Sequence, residues 1–242
     1  MLHLTESYAK ECYNKAFRHG LEEYQKVANE QALKYITKPD DIKVLDIGCG
    51  AGQWAMAIAQ MHHSINVIAI DINQYALDLA RAYADKHNIN NIKFIKISYD
   101  ELPMHFKGSS FNVVLCNSVL PYINESEAFR IMSMLLKTNG IILSMWNHHI
   151  GYYFRRLIEG ISHFKTGGII FGLNIILRNS LREYILKSPT NEHIVYYNHI
   201  KRIAQRYGLR IEKIPFIPLL DYQEKYLGLP YTWNFRGIKL NA

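Results

Sequence analysis

Val44-Leu45-Asp46-Ile47-Gly48-Cys49-Gly50-Ala51-Gly52-Gln53-Trp54 is the stretch that decides the fold. An apolar run carrying one acid reads as a buried strand. Three glycines in five positions then turn the chain, and Trp54 opens a helical pattern. Glycines let the backbone turn sharply and let a ligand come close without meeting side chains. The amides at the start of the following helix favour a negative group. A dinucleotide fingerprint needs glycines at its first, third and sixth positions. Counted from Gly48, the sixth position is Gln53, and the third glycine comes one residue early at Gly52. The spacing therefore argues against a nicotinamide dinucleotide.

Outward from this turn, short apolar runs at 43–47, 67–70, 92–97, 111–116 and 141–146 read as strands. Segments 54–61, 74–87 and 126–136 between them have helical spacing. Such alternation implies a doubly wound, mostly parallel sheet with helices on both faces. Asn139-Gly140 is expected to close the last of these helices. Upstream, residues 2–36 predict two helices broken near Gly20. After Asn147 the alternation stops, and 148–189 is rich in aromatics and arginines. A helix over 193–207, a strand over 209–214 and an extended stretch over 233–240 then predict antiparallel edge strands. The expected α/β architecture is a seven-stranded sheet with a helical N-terminal lid (1–38), a ligand-binding core (39–147), a helical substrate cap inserted after strand five (148–192) and a C-terminal part of the core (193–242).

Hydrophobic residues make up 49% of the 242 and charged residues 20%, an ordinary globular composition. No apolar run reaches the ~18–20 residues a bilayer span requires. The start lacks the pattern of a signal peptide. Three widely spaced cysteines, Cys12, Cys49 and Cys116, imply neither a disulfide framework nor a metal site, and fit a cytoplasmic protein. The charge is uneven. Residues 1–147 carry 14 Lys and Arg against 15 Asp and Glu, a net of −1, whereas 148–242 carry 14 against 6, a net of +8. An acidic or phosphorylated substrate, a nucleic acid or an anionic membrane surface would explain that asymmetry, and so would a solvated basic surface.

The motifs, taken in order, resemble those of class I S-adenosylmethionine-dependent methyltransferases. Asp46-Ile47-Gly48-Cys49-Gly50-Ala51-Gly52 resembles the acidic-x-Gly-x-Gly-x-Gly motif I. Asp71, nineteen residues after Gly52 at the end of the second strand, stands where a carboxylate accepts both ribose hydroxyls. The resemblance places Ile72 against adenine. Before Leu102-Pro103 the family's adenine-binding Asp is replaced by Ser98, so Ser98 with the backbone near Tyr99, or else Asp100, would hold the base. The segment from Phe111 through Cys116 and Asn117 resembles motif IV, with Asn112 in place of its acid. The implied cofactor is S-adenosylmethionine, leaving as S-adenosylhomocysteine. The turn amides at Gly48, Cys49, Gly50 and Gly52 would face its carboxylate, Asp46 its ammonium, and Cys116 and Asn117 would border it. No metal is expected.

The methyl group of that cofactor is already activated, so the protein must chiefly align a nucleophile. A hydroxyl acceptor also needs a base. His148 and His149 directly follow strand five, and only one should face the methyl group, because successive side chains of an extended chain point apart. Arg155, Arg156, Arg178 and Arg182 are candidates for guiding an acidic acceptor. The reading is methylation of a small molecule, most simply at oxygen. A nucleic-acid acceptor is disfavoured, since Asn117-Ser118-Val119-Leu120-Pro121-Tyr122 lacks the paired prolines of base-methylating enzymes and no RNA-binding module is visible. An RNA or protein methyltransferase, or a non-catalytic S-adenosylmethionine-binding subunit, are the alternatives.

Overall fold

The computed structural model describes residues 5–18, 20–36, 41–163, 166–181, 192–218 and 223–241. Five strands, β1 (Ile42–Ile47), β2 (Ile65–Asp71), β3 (Ile92–Lys96), β4 (Phe111–Leu115) and β5 (Leu136–His148), pair in parallel. β9 (Thr232–Lys239) lies antiparallel between β5 and β6 (Leu209–Ile214), so the sheet runs β3-β2-β1-β4-β5-β9-β6. This is the expected seven-stranded, mostly parallel sheet. A two-stranded hairpin of β7 (Lys225–Tyr226) and β8 (Leu229–Pro230), absent from the sequence reading, stands beside it.

Because every central strand is covered on both sides, its residues are apolar in both directions. Val44, Val67, Ala69, Val113 and Leu115 face a core completed by α2 (Glu22–Gln31), α3 (Gln53–Ala59) and α4 (Gln74–Lys86). Leu45, Ile47, Ile70, Val114 and Ile142 face the other, completed by α5 (Leu102–His105), α6 (Glu125–Leu135) and α9 (Tyr197–Arg206). Side-chain caps start the helices beside the ligand edge. Asn73 accepts from the amides of Tyr75 and Ala76 at the head of α4, and Asn124 from that of Glu127 in α6. α1 (Glu6–Ala16) rests on α4 through a stack of Tyr13, Phe17 and Tyr83, and α2 meets α3 where Tyr24 abuts Trp54. Beyond β5, α7 (Ile150–Ser162) and α8 (Thr166–Leu181) form a helical hairpin. The C-terminal helix starts at Tyr197, later than the 193 expected, and residues 192–196 belong to no helix or strand.

The turn at Asn139-Gly140 differs from expectation. α6 ends at Leu135 and the strand has begun by Leu136. Asn139, not Gly140, takes the positive φ, of 61°. Gly140 is required by crowding, since a Cβ there would lie 2.7 Å from the Lys137 carbonyl oxygen.

β5 carries a bulge that sets up the site. Ser144 pairs with Phe235 and Asn147 with Trp233, so Met145 and Trp146 together oppose Asn234. Trp146 has φ 53°, and both Met145 and Trp146 enter the same core. Asn234, 1% exposed, holds the bulge. Its Oδ1 accepts from the Trp146 amide at 2.8 Å and its Nδ2 donates to the Pro215 carbonyl at 3.0 Å. Leaving a buried hydrogen-bonding group unsatisfied costs about 1–3 kcal/mol. Asn234→Ala strands the buried Trp146 amide, while the exposed Pro215 carbonyl can turn to water, and should therefore destabilise the protein by about 1–3 kcal/mol in urea unfolding. A change below 0.5 kcal/mol would mean that the bulge does not need its asparagine.

Candidate active site

The chain leaves β1 where the strand order reverses, between β1 and β4. Open α/β sheets bind ligands in that crevice, beyond the carboxyl ends of the strands. The glycine turn lies there, with φ of 66°, 53° and 79° at Gly48, Gly50 and Gly52. Their surroundings differ. A Cβ on Gly48 would lie 2.5 Å from Val119 Cγ2, and one on Gly52 2.8 Å from Phe94 Cε1. At Gly50 it would meet nothing within 4 Å. Packing thus demands the outer two glycines, while Gly50 offers bare backbone to open space.

Two carboxylates flank this cradle. Asp46 is 2% exposed, and its Oδ2 has no hydrogen-bond partner. Burial first, and then the charge of Asp71, push its pKa up to about 8, against a single lowering bond from the Ala55 amide. Asp71 Oδ2 accepts from the Gly50 amide and its Oδ1 from the Asn73 amide, each at 2.8 Å. These two bonds orient the Asp71 carboxylate. A ligand that brings a cation to Asp46 and hydroxyls to Asp71 offsets both the burial of the first acid and its repulsion by the second. The ammonium and ribose of S-adenosylmethionine meet that requirement.

The other residues read from sequence gather along the same edge. Cys49 is buried, its amide bonded to the Ile70 carbonyl. Ile72 is 47% exposed beside Asp71, an apolar surface open to a ligand. Ser98 forms a capping box with Glu101, while Tyr99 Oη accepts from the Asn124 amide and Asp100 is exposed. Cys116 is buried, its carbonyl accepting from Ser144 Oγ. Asn117 Oδ1 accepts from the Met145 amide at 3.0 Å, leaving its buried Nδ2 without a partner. From α1, Cys12 has a thiol pKa raised chiefly by burial, with the charge of Asp71 the smallest contribution.

His148 and His149 enter different surroundings. His148, 2% exposed, stacks on Tyr152 with centroids 3.8 Å apart and meets Tyr122 edge-on. Its Nδ1 lies 3.0 Å from Glu192 Oε1, which also accepts from Tyr153 Oη at 3.3 Å. His149 faces away, into a cavity of about 510 Å³ lined by Glu125, His193, Tyr196 and Arg202. Burial, with a smaller effect of Lys213, lowers its pKa and favours the neutral ring. Sequence reading missed Glu192. Its only signal was to be one of six acids in a basic region. Arg155 is held by Glu159 and Tyr231, whereas Arg156 is exposed. Arg182 and the side chain of Arg178 lie outside the described residues.

A family model described as "Methyltransferase domain" matches residues 38–151, the segment that carries the cradle and both acids. Residues 38–151, just under half of the chain, are thus similar to a methyltransferase domain. A release factor glutamine methyltransferase of Aliivibrio fischeri is 35% identical over 98 residues, 40% of this chain and 33% of that protein. A ubiquinone biosynthesis O-methyltransferase of Rickettsia bellii is 31% identical over 115 residues, 47% of this chain and 45% of that one. The chain thus spans a third to just under half of these relatives, whose names specify different acceptors. The fold also matches a crystallised SAM-dependent methyltransferase of Methanosarcina mazei, with a TM-score of 0.56 and 16% identity over 86% of this chain and 96% of that one.

Asp46 also makes the stability of the ligand-free protein depend on pH. A carboxyl whose pKa is raised on folding binds a proton more tightly in the folded state. Its stabilising effect is complete below the unfolded value near 3.9 and is lost as pH rises through about 8. Asp46→Asn removes the titration. Between pH 5 and pH 8 the wild-type Tm should therefore fall relative to that of the variant, by about 2–4 °C for each kcal/mol. Parallel Tm curves would show that Asp46 ionises freely.

Proposed function

We propose that the chain methylates a hydroxyl of a small-molecule acceptor in the cytoplasm, with His148 as the base. The buried pair of His148 and Glu192, just past the cofactor edge of β5, carries this reading. As a carboxylate, Glu192 can only accept, so it favours the tautomer with the proton on Nδ1 of His148. Nε2 is then the basic nitrogen. Stacking on Tyr152 and the bond to Glu192 fix the ring, and fixed orientation is what a base contributes beyond its basicity.

Gly48, Cys49, Gly50 and Gly52 with Asp46 would hold the amino-acid end of the cofactor and Asp71 its ribose. Ile72, Ser98, Tyr99 and Asp100 would border the adenine, and Cys116 and Asn117 the region of the sulfur. When bound, S-adenosylmethionine supplies a methyl group activated by the sulfonium charge. His148 Nε2 would take the proton of the acceptor hydroxyl as the methyl carbon–sulfur bond gives way to a carbon–oxygen bond and S-adenosylhomocysteine leaves. Residues 1–38 act as a lid and 148–192 as the acceptor cap, whose exposed Arg156 favours an acidic or phosphorylated acceptor.

Calorimetric titration with S-adenosylmethionine comes first. Asp71→Ala should weaken binding by about 1.5–3 kcal/mol for each charged hydrogen bond lost. An acceptor is then sought by the release of S-adenosylhomocysteine across phenols, acidic metabolites and phosphorylated metabolites. With it, His148→Ala should lower turnover about a hundredfold or more with cofactor affinity unchanged, and Glu192→Gln by less. Loss of turnover in His149→Ala alone would move the base to the cavity. Full activity in both histidine variants would indicate an amine or carbon acceptor. Release of S-adenosylhomocysteine only with a protein or RNA would overturn the small-molecule reading.

A further inference from the structure

We infer that one face of the α7–α8 hairpin is a docking surface for an anionic lipid bilayer, on which the protein rests without crossing it. The two helices run antiparallel and touch closely. A Cβ on Gly172 would lie 2.8 Å from Leu157 Cβ, and one on Gly160 2.6 Å from the Ile169 amide nitrogen. Leu157 and Gly160 therefore look at Ile169 and Gly172. One residue further on each helix is a turn of about 100°, and between antiparallel helices those turns lead to the same side of the pair. The residues found there are Ile158, Ile161, Ile170 and Leu173, and they are 37%, 55%, 46% and 38% exposed. Four branched aliphatic side chains on one side of a hairpin form a patch, unlike the scattered apolar residues of an ordinary surface.

Charge decides what covers the patch. Residues 150–181 hold four basic residues, Arg155, Arg156, Lys165 and Arg178, against the single acid Glu159. That acid is already held by Arg155 at 2.6 Å. Residues 148–242 as a whole carry +8, and residues 1–147 carry −1, so the attraction to an anionic surface is concentrated in the half of the chain that bears the patch. A second copy of the hairpin would bring like charges together across the contact. A bilayer with anionic headgroups instead takes the apolar side chains among its acyl chains and the basic residues at its surface, the two contributions that hold interfacial helices. Among the described residues no helix is long and apolar enough to cross a membrane.

The test is co-sedimentation of the full chain with phosphatidylcholine vesicles, with and without phosphatidylglycerol. Binding should appear with the anionic vesicles, weaken as salt is raised, and be about tenfold or more weaker on phosphatidylcholine alone. Leu173→Glu should reduce it at least about tenfold with Tm and S-adenosylmethionine affinity unchanged. Ile161→Ser is the milder variant, should Leu173→Glu fail to fold. Three results would overturn the proposal. These are failure of the wild type to sediment with anionic vesicles, undiminished binding by well-folded variants, and a lipid-free dimer in light scattering that Leu173→Glu dissociates. The last would make the patch an interface between copies.

Discussion

A carboxylate buried to 98%, with one oxygen lacking any hydrogen bond, sits far from its preferred condition, and Asp46 is such a group. An isolated buried charge costs so much that it is normally neutralised or paired. Among the described residues nothing in the surrounding core supplies the counter-charge, because the neighbouring ionisable group is another acid, Asp71. The geometry of the crevice follows from this imbalance. The glycine turn leaves open space at Gly50, and the amides of Gly50 and Asn73 point Asp71 toward the same locality. What the fold leaves uncompensated, a cationic nucleoside can compensate.

The other end of the site depends on a change of phase in one strand. Without the bulge at Met145 and Trp146, regular alternation would exchange the sides taken by the two histidines that follow. With it, His148 enters the aromatic nest beside Glu192, and His149 opens toward the cavity next to α6 and α9. The Asn234 side chain, on a different strand, sets this phase. The placement of both histidines at the end of β5 is therefore controlled from β9, in the antiparallel part of the sheet.

Most of the sheet was legible in the chain because buried parallel strands are short apolar runs that contrast with the helices between them. Asp46, Asp71 and the glycines were legible for a related reason, since backbone conformation and strand ends fix their places locally. The bulge was not. Nothing in Ser144-Met145-Trp146-Asn147 announces a tryptophan at positive φ, which is held by partners about ninety residues away. Glu192 was missed because its contact with His148 spans 44 residues. At Asn139-Gly140 the turn chemistry was sound, but the roles of the two residues were reversed. The aromatic and basic stretch after β5 was legible as helical, and two helices stand there, but their close pairing was concealed, because it rests on glycines that a propensity reading counts as breakers.

The close approach at Gly52 extends the candidate site beyond the residues that can touch a ligand. Its α-hydrogen side is walled by Phe94 of β3, Ala80 of α4 and Met56 of α3. Those three side chains form the mould in which the turn is cast. In a randomised library, positions 56, 80 and 94 should tolerate change as poorly as binding residues do, although they lie behind the turn. A smaller residue at 94 would give the turn slack, and a larger one at 80 would push it outward. The specificity of this crevice is in that sense partly written on the back of its wall, where a search confined to ligand contacts would not look.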